Sequence, residues 1–152
     1  MKKELNSMKY IVIITMICFF LGCTEKEEII YFNDFEEGKV KAEEMNKNLL
    51  IIFDLYGSST NYVDELLENK EIKKVLKSFV VTRLMCDDRK MKDSIQTVGS
   101  YNSDLQRKLM NQYYQPMFCI FNTSGDKIAK PLGYSKKELV IDYLKSGVPP
   151  QE

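Results

Sequence analysis

Residues 49–53 read LLIIF, a run of five apolar residues without a break. Such a run is typical of a strand buried on both faces of a sheet, because a half-exposed strand alternates apolar and polar residues. Two similar segments follow, FVVTRLMC at 79–86 and PMFCIF at 116–121. We therefore predict three buried strands, around which the rest of the chain is arranged.

Helical segments are predicted between these strands. Asn33 and Asp34 are suited to cap a helix over 35–46, and Ser135 to cap a last helix that ends near Leu144. A polar turn at 122–126 leads into a predicted edge strand, Lys127–Ala129. This alternation predicts an α/β fold in which helices flank a central mixed β-sheet on both faces. Further helices are predicted over 61–67, 70–78 and 103–113.

The N-terminal segment has the pattern of a lipoprotein signal peptide. Basic residues precede the apolar run 11–20, which is shorter than the roughly 20 residues that a membrane-spanning helix needs. The run ends in FLGC at 20–23, which resembles the bacterial lipobox, where the cysteine is lipidated and becomes the mature N-terminus. We predict a signal peptide over 1–22 and lipidation at Cys23; an ordinary signal peptide with an incidental cysteine is the alternative.

Residues 23–32 are predicted to be a lipid-anchored tether, since Thr24–Glu28 is polar and acidic. This stretch is either a plain linker or an export signal like those of some Bacteroidetes lipoproteins. The expected location is the bacterial cell envelope, on the outer or inner membrane, facing the periplasm or exposed at the surface. That compartment is oxidising, so the cysteine pattern of the mature chain is informative.

The composition excludes several classes of function. Lys and Arg number 22, Asp and Glu also number 22, and this balance gives no basic surface for nucleic acid. The chain has no histidine, which removes the commonest general base and the commonest metal ligand. We therefore expect no metal, no cofactor and no Ser–His or Cys–His nucleophile.

Five segments carry a resemblance to one protein family. They are Lys47–Phe53, Asn69–Leu76, Phe79–Asp88, Thr97–Gly99 and Tyr114–Phe118. From about residue 35 to 147 the chain resembles thioredoxin, and it is most similar to the C-terminal periplasmic domain of DsbD-type thiol–disulfide interchange proteins of Bacteroidetes. The resemblance implies a thioredoxin-like domain over 33–148, followed by a C-terminal tail at 149–152. It also implies a cis peptide bond before Pro116.

The chain departs from this family where the family carries its redox motif. In the family a CxxC sequence follows the central strand at the start of a helix, where the helix lowers the pKa of the first thiol. The matching residues here are Ser58, Ser59, Thr60 and Asn61, and no cysteine occurs between Thr24 and Met85. We interpret this loop as a degenerate active site whose residues serve as helix caps, and we predict no catalytic residue.

Cys86 and Cys119 are unsuited to replace the missing pair. In the thioredoxin strand order their strands flank the central strand, which separates them by roughly 9.6 Å. A disulfide tolerates a Cα separation of up to about 7 Å. We expect both cysteines to be free and mostly buried. Because Cys86 lies near a strand end, we also consider it as a partly exposed thiol that could sense redox state.

Tyrosines surround the degenerate loop and the predicted cis-proline. Thioredoxins bind extended polypeptide in a groove beside the cis-proline. The corresponding groove here would be formed by Tyr62, Tyr114, Gln115, Pro116 and Met117. Alternatively, the tyrosines only bridge core and solvent. The sequence favours a redox-inactive, non-enzymatic lipoprotein that binds a polypeptide or envelope protein. The alternatives are a thiol–disulfide oxidoreductase, or an accessory to one, that uses Cys86 or a partner's thiols, and a domain kept only as a scaffold.

Overall fold

The computed structural model describes residues 28–56 and 61–148. Within these residues the chain forms four strands and five helices, which alternate along most of the sequence. The strands are β1 (Ile30–Phe32), β2 (Asn48–Asp54), β3 (Phe79–Met85) and β4 (Met117–Phe121). The helices are α1 (Phe35–Glu44), α2 (Tyr62–Glu68), α3 (Lys70–Leu76), α4 (Val98–Met110) and α5 (Lys137–Ser146).

The four strands form one mixed sheet in the order β1-β3-β2-β4. Strands β1 and β2 both run parallel to β3, whereas β4 runs antiparallel to β2. All seven residues of β2 are buried, as the apolar run predicts for a central strand. The predicted α/β fold with a mixed sheet is therefore confirmed.

Each face of the sheet packs against its own set of helices. Leu50 and Ile52 point to the face covered by α2, α3 and α5. Leu49, Ile51 and Phe53 point to the opposite face, which packs against α1 and α4. Because successive side chains of a strand alternate between faces, one unbroken apolar run supplies both cores. Burial of each such side chain contributes about 1.5–3 kcal/mol to folding.

Side-chain caps fix where several helices begin. The Asp34 carboxylate accepts hydrogen bonds from the backbone N–H groups of Glu36 and Glu37 at 2.9 and 3.2 Å, so the predicted cap of α1 is confirmed. Helix α4 begins at Val98, five residues before the predicted start, because Thr97 caps it. Ser135 does not cap α5; the residue at that position is Lys136, which makes no side-chain capping bond.

The two edges of the sheet differ from the sequence prediction. Residues 30–32, assigned to the tether, form β1 and pair with β3. Lys127–Ala129 was predicted as an edge strand, but this segment makes only an isolated bridge between Lys127 and Phe121, followed by a second between Leu132 and Phe118. Between the two bridges the segment advances five residues while β4 advances three, so the two do not stay in register and no continuous ladder forms.

Several predictions fall on residues outside the described part of the chain. These are the signal peptide at 1–22, lipidation at Cys23, most of the tether and the tail at 149–152. No helix within 28–56 and 61–148 has both the length and the apolar character needed to cross a membrane.

Candidate functional site

The degenerate loop is only partly described. Ser58, Ser59 and Thr60 lie outside the described residues. Asn61 is exposed at the start of α2, and its side chain makes no capping hydrogen bond. The predicted capping role is therefore not performed by Asn61.

The peptide bond between Gln115 and Pro116 is cis, the geometry that the thioredoxin resemblance implies. This bond lies in the segment that joins α4 to β4. Within the described residues, the backbone N–H and C=O of Gln115 take part in no hydrogen bond. Directly before a buried strand, the segment thus presents a backbone donor and a backbone acceptor that the described part of the chain does not use.

A second segment, Gly133–Ser135, brings the two predicted tyrosines to one surface. The Tyr62 hydroxyl donates to the Ser135 carbonyl at 2.6 Å and accepts from the Ser135 N–H at 3.1 Å. The Tyr62 and Tyr134 rings lie 4.3 Å apart between centroids, tilted by 36°. The Tyr114 ring packs so closely on Gly133 that a Cβ there would lie 2.8 Å from it.

We call this region the tyrosine surface and define it as Tyr62, Tyr114, Gln115, Pro116 and Tyr134. Tyr134 is 68% exposed and Tyr114 is 39% exposed, so both rings are accessible to a partner. Met117 was predicted to belong to the groove, but its side chain is fully buried in the core shared with α1 and α4. As the first residue of β4 it pairs with Phe53, and the strand's alternation turns its side chain inward.

Gln106 supports the tyrosine surface from inside the protein, and sequence reasoning missed it. Its side chain is completely buried on α4. The Gln106 amide nitrogen donates to the Tyr114 carbonyl at 2.7 Å, and its amide oxygen accepts from the Gln115 side chain at 2.8 Å. A polar residue fixed by several hydrogen bonds in a core is a strong determinant of local geometry.

We expect replacement of Gln106 by leucine to lower the free energy of unfolding by about 2 kcal/mol, because the Tyr114 carbonyl and the Gln115 amide would lose their buried partner. Urea unfolding followed by circular dichroism measures this loss. Gln112→Leu is the matched control, since Gln112 is exposed just after α4. Equal stability of the two variants would contradict a supporting role for Gln106.

The two cysteines of the domain are free and buried thiols. Cys86 was predicted to be partly exposed, but only 8% of it is accessible. Burial raises the pKa of the Cys86 thiol, and the polar side chains of Gln115 and Ser103 nearby offset this only in part. Burial raises the pKa of Cys119 to about 12. Strand β2 lies between the strands that carry the two cysteines. Because the pKa of each thiol is raised, both are neutral at about pH 7.

The strand order, the helices on both faces and the cis-proline beside β4 define a thioredoxin-like fold. Solved structures with this fold include a thioredoxin from Thermus thermophilus, with a TM-score of 0.59 and 14% identity over 78% of this chain and 85% of that one. A disulphide isomerase from Xylella fastidiosa has a TM-score of 0.53 and 13% identity over 72% of this chain and 85% of its own.

A mutant thioredoxin from Halobacterium salinarum is similar over 86% of this chain and 100% of its own length, with a TM-score of 0.54 and 12% identity. At these identities the similarity establishes the fold alone. No protein-family model and no curated protein matches the chain.

Proposed function

We propose that this chain is a redox-inactive, thioredoxin-like lipoprotein of the bacterial envelope that binds an extended polypeptide at the tyrosine surface. The observation that carries the proposal is the Gln115 backbone, whose N–H and C=O make no hydrogen bond within the described residues. An extended peptide can pair with such groups as an added strand, while neighbouring aromatic rings hold its side chains.

The chemistry of the chain supports binding without catalysis. The family that the sequence resembles most, the C-terminal domain of DsbD-type proteins, uses a CxxC pair, and this chain has no cysteine between Thr24 and Met85. Histidine is absent, so the Ser and Thr hydroxyls of the loop have no imidazole base. The buried Cys86 thiol, with its raised pKa, is a poor nucleophile near neutral pH.

A lipid on Cys23 would hold the domain at a membrane of the envelope. The sequence supports this through the basic and apolar segment before FLGC at 20–23. Metabolic labelling with a palmitate analogue tests it, because Cys23→Ser should abolish labelling while Cys18→Ser leaves it unchanged.

The binding proposal is tested with the full chain in detergent micelles and a fluorescent, reduced and alkylated insulin B chain as the extended polypeptide. We expect Tyr114→Ala and Pro116→Ala to weaken binding roughly tenfold or more, as loss of an interface hot spot does. Tyr113→Ala is the matched control, because Tyr113 is also exposed but its ring packs on Arg107. Binding that survives both changes, or that falls equally in the control, would exclude the tyrosine surface.

A thiol–disulfide oxidoreductase that uses Cys86 is the second candidate. One observation favours it: the Cys86 thiol donates to the Gln106 amide oxygen at 3.8 Å, and the same oxygen accepts from the Gln115 side chain in the cis-proline segment. Reduction of insulin by dithiothreitol distinguishes the two functions. We expect no rate above the uncatalysed background, whereas a rate that disappears in Cys86→Ser would establish thiol chemistry.

A further inference from the structure

A cleft with a volume of about 840 Å³ opens at the carboxyl ends of the parallel strands. Residues that follow or end β1, β2 and β3 line it, and α2 forms its opposite wall. This size lies within the roughly 300–1,000 Å³ of clefts that bind small molecules. The proposed peptide-binding function makes no use of it.

Arg83 lies in this cleft and is already neutralised. Its Nε and Nη2 atoms donate to Asp54 at 3.0 and 2.6 Å, and Nη1 donates to Asp64 at 2.6 Å. Burial alone would lower the Arg83 pKa, but the hydrogen bonds to Asp64 and Asp54 outweigh it and raise that pKa. Because two carboxylates share one guanidinium, the interior of the cleft offers no spare positive charge to an anionic ligand.

Two further carboxylates lie in the cleft lining. Glu68 is on α2 and pairs with Lys73, whereas the exposed Glu37 on α1 has no ion-pair partner within the described residues. The cleft lining therefore holds four carboxylates and one cation, Arg83, while Lys73 pairs with Glu68 from outside the lining, so the local charge is negative. Such a charge attracts cations and repels anions.

Aromatic side chains complete the lining. Tyr31 on β1 is 48% exposed and Tyr56 after β2 is 68% exposed, and both belong to the cleft. The face of a phenol ring attracts an ammonium group by a cation–π interaction. The same ring offers apolar surface on which a methylene chain can pack. Val63 and Leu67 add apolar surface on the helix side.

We propose that this cleft binds an organic ammonium group carried on an apolar stem. The ligand is either a lysine side chain of a protein or a free aliphatic diamine, which share this chemistry. The stem packs on Leu67 and the tyrosine rings, and the ammonium group is held near Glu37 and Glu68. The site is separate from the tyrosine surface and does not depend on polypeptide binding there.

The test uses the full ¹⁵N-labelled chain in detergent micelles and three probes. These are acetyl-Gly-Lys-Gly-amide, the same peptide with norleucine in place of lysine, and 1,5-diaminopentane. Norleucine has the same stem as lysine without the terminal nitrogen, so it isolates the contribution of the charge. With at least one of the two positively charged probes, we expect saturable NMR chemical-shift changes of backbone amides in α2 and at the end of β2. The expected dissociation constant is about 1 mM.

Glu37→Gln/Glu68→Gln should weaken that binding roughly tenfold, because two carboxylates next to the ammonium group are lost. Glu65→Gln/Glu138→Gln is the charge-matched control, since both residues are exposed and outside the cleft, and it should retain affinity. Binding of the lysine peptide alone identifies a protein side chain as ligand, and binding of the diamine alone identifies a free amine. Equal binding of the norleucine peptide, equal affinity in both double variants, or no saturable shift would overturn the proposal.

Discussion

Replacement of Gly38 by alanine is expected to destabilise the domain by about 2 kcal/mol. In an ordinary helix this change stabilises by roughly 1 kcal/mol, because glycine is a poor helix former. Gly38 lies in α1, however, and faces Thr82 of β3 so closely that an added Cβ would overlap the threonine Oγ1. The overlap cannot be relieved cheaply, since Thr82 is fully buried in β3. Urea unfolding measures the loss.

A double-mutant cycle separates this clash from other effects. Thr82→Ala removes the Oγ1, which is buried without a hydrogen-bond partner within the described residues. The single change should therefore cost only the small cavity it leaves, about 1 kcal/mol. Added to Gly38→Ala, it should restore most of the lost stability. Simple additivity of the two changes would show that the helix and the strand do not meet as described.

The contact at Gly38 also shows what the sequence could and could not predict. Apolar runs such as 49–53 identify buried strands directly, because burial on both faces leaves no alternation. Asp34 was equally readable as a helix cap, since its signal is local. The close contact between Gly38 and Thr82 joins residues that are far apart in the sequence, so no local sequence pattern could predict it.

Short edge elements were missed for a related reason. β1 has only three residues and is stabilised by pairing with β3 rather than by its own sequence. The start of α4 was predicted too late, near residue 103 rather than at Val98. In the structure Gly99 is buried in the first turn, where a Cβ would lie 2.6 Å from the Asp88 backbone nitrogen.

The candidate site was predicted in part. Tyr62, Tyr114, Gln115 and Pro116 were named from the sequence because the thioredoxin resemblance places them beside one loop. Tyr134 and Gln106 were not named, since Tyr134 reaches the surface through Gly133–Ser135 and Gln106 acts from the core. A buried glutamine on a helix of mixed polarity looks like any solvent-facing residue until the packing is known.

Arg83→Met is expected to have the largest effect on stability, a loss of about 3 kcal/mol. Asp54 is only 4% exposed, and Arg83 supplies two of its hydrogen bonds. Methionine can fill much of the space of the arginine stem, but it leaves a carboxylate in a poorly hydrated site without a cation. The measurement is urea unfolding at neutral pH, compared with the unsubstituted chain.

Two control variants test whether the loss of stability comes from leaving the Asp54 carboxylate without a cation. Asp64→Asn breaks the other half of the network at a residue whose side chain is 59% exposed, so it should cost less than about 1 kcal/mol. Adding Asp54→Leu to Arg83→Met removes the unpaired carboxylate and should recover most of the stability. If Arg83→Met costs no more than Asp64→Asn, Asp54 does not depend on Arg83. Arg83→Met also removes a positive charge from the cleft. Any folded fraction of this variant should therefore bind the lysine probe more tightly, although the domain itself is less stable.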